Sequence, residues 1–76
     1  MKEYGVKISG PDLIRTVRTR AGLSRADLAK RVGVKYGTVW VWETGQHSPS
    51  LDSFLKVLEA TGYEFLLRKK MDIWER

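Results

Sequence analysis

The sequence predicts a small all-α domain of four main helices, followed by a short C-terminal strand or a fifth helix. Three observations carry this. Apolar residues recur at helical spacing in four separate runs. A glycine follows each run, at Gly22, Gly33, Gly45 and Gly62. Serines open the first, second and fourth runs, where a helix needs a side-chain oxygen for its unpaired amides. A chain of 76 residues makes one domain, and one of this size buries only about 60% of its unfolded surface. An enclosed active site with its own supporting shell does not fit. The chain has no cysteine, which removes disulfides, thiolate zinc sites and thiol nucleophiles together. No apolar run approaches the roughly 20 residues that span a bilayer. Residues Met1–Lys7 lack an apolar signal core, so cytosolic residence is expected.

Taken in order, Tyr4, Val6 and Ile8 alternate with polar neighbours and read as a short strand or ordered arm. Ser9-Gly10-Pro11-Asp12 then opens a helix with a cap, an early proline and a carboxylate near the positive helix end. Leu13, Ile14, Val17 and Ala21 form its stripe. Ser24 and Asp27 match a capping box and start the second helix, whose buried residues should be Leu28, Ala29 and Val32. Only Val34 and Lys35 separate Gly33 from a third helix, Tyr36–Glu43, expected to bury Val39 and Trp42. The polar loop Gln46–Ser50 leads into a fourth helix with Leu51, Phe54, Leu55 and Leu58 on one face. Beyond Gly62, Tyr63, Phe65 and Leu67 alternate as in a strand; a fifth helix is the competitor.

The charge is unevenly placed. The whole chain carries +5. Residues 1–35 hold nine basic and three acidic residues, or +6; residues 36–76 hold five and six, or −1. A surplus gathered in one half points to an anion-facing side.

Two short helices joined by a tight turn and flanked by two more make a helix-turn-helix arrangement. Leu23-Ser24-x-x-x-Leu28-Ala29-x-x-Val32-Gly33-Val34, Thr38-Val39-x-x-Trp42-Glu43-x-Gly45 and Pro49-Ser50-Leu51 resemble the Cro/CI (Xre-type) family. The likeness covers roughly residues 12–62. It implies a lambda-repressor-like domain that docks its third helix in the DNA major groove, with no cofactor. It further implies a structural ion pair between Arg18 and Glu43. Phosphate contacts would come from Arg25, which would also buttress the third helix, and from Lys35, Thr38, Gln46, His47, Ser48 and Ser50, the last four near a helix N-terminus suited to anions. Helical geometry puts Val39, Trp42 and Glu43 on one side of the third helix and Tyr36, Gly37, Trp40 and Val41 on the other. Base readout therefore falls to Tyr36, Gly37, Trp40 and Val41, where the family usually carries polar readers. A lone histidine, His47, argues against a metal site.

Each assignment has a plainer competitor. Arg25 could be a solvated arginine, Thr38 could bond only within its helix, and Trp40 could pack against a protein. The segment Gly62–Arg68 resembles the tail of Hip-type persistence antitoxins, whose strand pairs across a dimer, with Tyr63, Phe65 and Leu67 as interface residues. Residues 1–62 then form the DNA-binding part with an N-terminal arm, and 63–76 the dimerisation tail of the same domain. The leading expectation is a homodimeric, sequence-specific repressor binding double-stranded DNA. The alternatives are an antitoxin with a toxin partner, or an interaction module on the same fold. An enzyme finds no support, because the acids are scattered and no paired pocket is legible.

Overall fold

A computed structural model describes residues 8–67 and 69 of the chain. Four helices occur there: α1 (Gly10–Arg20), α2 (Arg25–Val32), α3 (Tyr36–Thr44) and α4 (Leu51–Thr61). The all-α expectation holds, and the third helix runs one residue beyond Glu43.

Local chemistry explains the boundaries. The Ser9 hydroxyl accepts the Asp12 amide at 3.2 Å, with Pro11 and Asp12 in the first turn of α1. Ser24 and Asp27 close a reciprocal box at 3.0 and 3.1 Å, satisfying two amides that the helix itself cannot. The Ser50 hydroxyl accepts the Ser53 amide at 3.1 Å. Lys35, at the start of α3, gives no side-chain cap. The turn from α2 to α3 depends on Gly33, whose φ of 88° is strained for any residue with a Cβ. Its amide and that of Val34 both return to the Ala29 carbonyl, at 2.8 and 2.9 Å. That closure points α3 away from α2 within three residues.

The core forms where the four helices meet. Ile14 and Val17 of α1, Leu28, Ala29 and Val32 of α2, Val39 and Trp42 of α3, and Val57 of α4 make one buried cluster. Leu13, Leu23, Val34, Phe54 and Ala60 pack around it. Val39 and Trp42 are buried as expected; Ala21 is exposed.

Two expectations need correction. The apolar face of α4 is rotated from the Leu51–Leu55 stripe: Val57, Leu58 and Thr61 are buried and Phe54 half-buried, while Leu51 is 68% and Leu55 39% exposed. Leucine and valine surround this helix too widely for one face, and the packing against α1 and α2 selects among them. Thr61 enters the core because its hydroxyl donates to the Val57 and Leu58 carbonyls, at 2.8 and 3.0 Å. The second correction is at the C-terminus, where Tyr63–Leu67 form neither strand nor helix and are exposed. A strand pairs only with another strand, and the described residues of this single chain offer none. The expected arm over residues 3–8 lies outside the described residues except for Ile8, which is exposed and in no strand.

Candidate nucleic-acid interface

The third helix is fixed from behind by one carboxylate. Glu43 lies near the C-terminal end of α3 and is 2% exposed. Arg18 of α1 meets it with Nε at 2.5 Å from Oε2 and Nη2 at 3.1 Å from Oε1. The Arg18 Nη1 donates to the Leu23 carbonyl at 3.0 Å. Arg25, the first residue of α2, adds its Nε to Glu43 Oε1 at 3.0 Å. Arg15 donates to the Glu43 backbone carbonyl at 3.1 Å and pairs with Asp12 at 2.8 Å. Three arginines from two helices thus converge on one residue of α3. Burial pushes the Glu43 carboxyl up, but the hydrogen bonds from Arg18 and Arg25 outweigh it and hold it below the ordinary carboxylate value. Arg25 is raised in turn, first by its bond to Glu43 and then by Tyr36 beside it.

The expected Arg18–Glu43 pair is therefore present. Arg25, expected to contact phosphate and to buttress the third helix, is bound to α3 through the same carboxylate, with about a third of its side chain exposed; the choice of Glu43 as its partner was not expected. Its separation of 18 residues from Glu43 leaves no periodic signal to find it by. Arg15 was likewise missed, although it shares a helical face with Arg18 at i, i+3.

On its outer side α3 presents Tyr36 at 54% and Trp40 at 41% exposure, with Val41 half-buried. Gly37 is exposed, and nothing lies within 4 Å of the position its Cβ would occupy. Lys35, Gly37, Thr38, Val41, Trp42 and His47 line one open depression between α3 and the loop before α4. The structure thereby gathers base-reading candidates Gly37 and Val41 with phosphate candidates Lys35, Thr38 and His47. Tyr36 stands instead beside Arg25. Trp40 is not part of that lining, and Gln46 and Ser48 are exposed in the loop. The Ser50 hydroxyl is engaged with Ser53, accepting its amide and donating to its Oγ at 3.1 Å.

No helix among the described residues is long and apolar enough to cross a membrane, and no group of acidic or histidine side chains there is placed to hold a metal ion.

Comparison with known proteins accords with this geometry. The pattern of the family described as helix-turn-helix matches residues 14–67. An uncharacterized HTH-type transcriptional regulator of Methanothermobacter thermautotrophicus is 41% identical over 54 residues, which cover 71% of this chain and 78% of the relative. Among solved structures, a chain of a HipA–HipB–O2–O3 complex superposes with a TM-score of 0.68 at 25% identity, covering 88% of this chain and all of that one. A chain of a HipB–O4 20mer complex gives the same values. The depression beside α3, the arginine-clamped glutamate behind it and a family match across most of the fold lead to one conclusion: this chain belongs to the helix-turn-helix family of the Cro/CI (Xre) type and is a DNA-binding transcriptional regulator.

Proposed function

We propose that the protein works as a homodimeric repressor, with α3 of each protomer in the major groove of one operator half-site. The supporting observation is the juxtaposition at α3: an outer face of Tyr36, Gly37, Trp40 and Val41, flanked by Lys35, Thr38 and His47, and held from behind through Glu43. Lys35, Thr38, Gln46, His47 and Ser48 contact phosphates. Arg25 reaches the backbone only as far as its bond to Glu43 allows, so its main work is to orient α3. Ser50 contributes through the helix N-terminus it caps rather than through its occupied hydroxyl. Two such helices about 34 Å apart read half-sites one DNA turn apart. Residues 63–76 supply the dimer contact through Tyr63, Phe65 and Leu67, all exposed in the single chain.

A second reading adds a toxin as partner, with the regulator repressing its own operon. It is favoured by the fold shared with a chain of the HipA–HipB–O2–O3 complex and by the resemblance of the sequence Gly62–Arg68 to the tail of Hip-type antitoxins.

The test is a gel-shift titration with the DNA upstream of the protein's own reading frame. Specific binding predicts affinity that falls steeply with salt, with a log–log slope near −0.9 for each phosphate contacted. Absence of binding at low salt by folded protein rejects the repressor reading. Co-purification with the product of a neighbouring frame, lost on removal of residues 63–76, selects the antitoxin reading.

A further inference from the structure

Two aromatic rings meet water on α3. Tyr36 and Trp40 are both exposed, and neither joins the core cluster. Four residues apart, they are neighbours on one flank of the helix, with Cβ atoms about 5–6 Å from each other. Both lie beside the open depression rather than in its lining. Adjacent exposed rings of this size mark a contact surface.

The chemistry of this flank selects its occupant. A paired base offers a protein only its edge, because its faces are stacked on the bases above and below. The indole of Trp40 has one N–H donor and no acceptor, so most of what it presents is a π-face. An unpaired base presents the same. The charge around the rings is positive. Lys35 precedes Tyr36 in the chain, and Arg25 lies beside Tyr36 with about a third of its side chain exposed. The one carboxylate of α3, Glu43, is buried and bound by two arginines, so this helix shows no exposed negative charge to repel a phosphate. Flat rings beside cations suit a strand of unpaired bases on a phosphate backbone.

We propose that Tyr36 and Trp40 form a stacking platform for single-stranded DNA, a binding activity beyond duplex recognition. Each ring takes one of two neighbouring bases, Lys35 faces the phosphates, and Arg25 does so within the reach its bond to Glu43 leaves. Because Tyr36 and Trp40 also face the major groove in the reading above, duplex and single strand exclude one another. Transcription opens the duplex where a regulator works, so such strands arise close to its operator.

The test uses the purified full chain and a labelled oligodeoxythymidine strand, read by fluorescence anisotropy at low salt. Binding is expected, with quenching of tryptophan emission. Trp40→Leu keeps an apolar side chain but removes the ring, and should weaken strand binding about tenfold, within the range for one lost base–aromatic stack. Trp40→Phe should keep most of the affinity and lose most of the quenching. Tyr36→Leu supplies the same comparison if the Trp40 variant does not fold. Inorganic polyphosphate carries the charge without the bases and should displace the strand only weakly. Equal affinity in wild type and the leucine variants overturns the platform, as does full displacement by polyphosphate at a matching phosphate concentration. Binding of oligouridine without binding of oligodeoxythymidine overturns it as a DNA site. Duplex binding without single-strand binding rejects the platform alone. Single-strand binding without duplex binding rejects the repressor reading and retains the platform.

Discussion

Glu43 shows how one residue can serve the fold and the site together. Its carboxylate accepts from Arg18 and Arg25 while its backbone carbonyl accepts from Arg15, so α3 is tied to α1 and α2 at one point. Removing one partner of a buried pair leaves an uncompensated charge and costs about 3–5 kcal/mol. A domain of this size has total stability of the same order. Glu43→Ala should therefore populate the unfolded state at 25 °C, read as loss of the helical circular-dichroism signal. The pH dependence follows from the same contacts. The folded carboxyl titrates below its ordinary value of 4.5, so its contribution is complete above that pH and is lost as pH falls through the lower folded value. Asp27 acts in the same direction from 3.8, because the Ser24 amide and hydroxyl favour its charged form. Melting temperature should be flat from pH 7 to 5 and fall below about 4.5, where protonation begins to favour the unfolded chain. A melting curve unchanged down to pH 3 would show that these bonds do not support the fold. Trp40 makes the opposite case. It is 41% exposed and lies outside the core cluster, so Trp40→Ala should shift melting by only a few degrees while DNA affinity drops about tenfold, read by fluorescence anisotropy. An unfolded product would instead make it a packing residue.

At the scale of elements, α3 is the least self-sufficient helix. It has no side-chain cap at Lys35 and carries a glycine in its first turn, so its position depends on the arginines behind it. Gly37 has no positive φ and meets nothing within 4 Å of its missing Cβ. Gly37→Ala should therefore stabilise the free protein by about 0.5–1 kcal/mol through helix propensity, which raises melting by roughly 4–8 °C per kcal/mol in a domain of this length. The same methyl projects over the outer face of α3 and should weaken DNA binding. A variant that is both more stable and equally tight would remove Gly37 from the interface. The boundaries of α1, α2 and α4 were legible in the sequence because Ser9, Ser24 and Ser50 act on amides three residues away, and such contacts need no tertiary information. The third helix was legible from its glycines and from Val39 and Trp42. The buried face of α4 was not. Leu51, Phe54, Leu55, Val57 and Leu58 are chemically alike, and only the position of α1 and α2 decides which of them loses water. The link from Arg25 to Glu43 was hidden for the same reason, since a contact across 18 residues exists only after α2 and α3 are placed.

At the scale of the molecule, the basic surplus lies in residues 1–35 and the run of exposed apolar residues follows α4. Part of the surplus in residues 1–35 is spent on the fold, because Arg18 and Arg25 both hold the buried Glu43 carboxylate. The field available to DNA is therefore weaker than +6 suggests, and a single protomer on a single half-site is expected to bind weakly. Two linked half-sites raise affinity without any new contact, because the second docking is intramolecular. The exposed apolar residues after α4 are suited to that linkage: Tyr63, Phe65, Leu66 and Leu67, interrupted only by Glu64, are exposed among the described residues. Phe65 is 54% exposed and outside the core cluster, so Phe65→Asp should leave the helical signal and the melting of the monomer unchanged. Sedimentation should show the variant as a monomer at concentrations where the wild type is a dimer. Its affinity for a two-half-site duplex should fall by about 100-fold, the lower end of the gain expected from linking two sites, while affinity for a single half-site stays the same. Equal loss on both duplexes would place Phe65 at the DNA, and a variant that remains dimeric would move the interface to another face of the molecule.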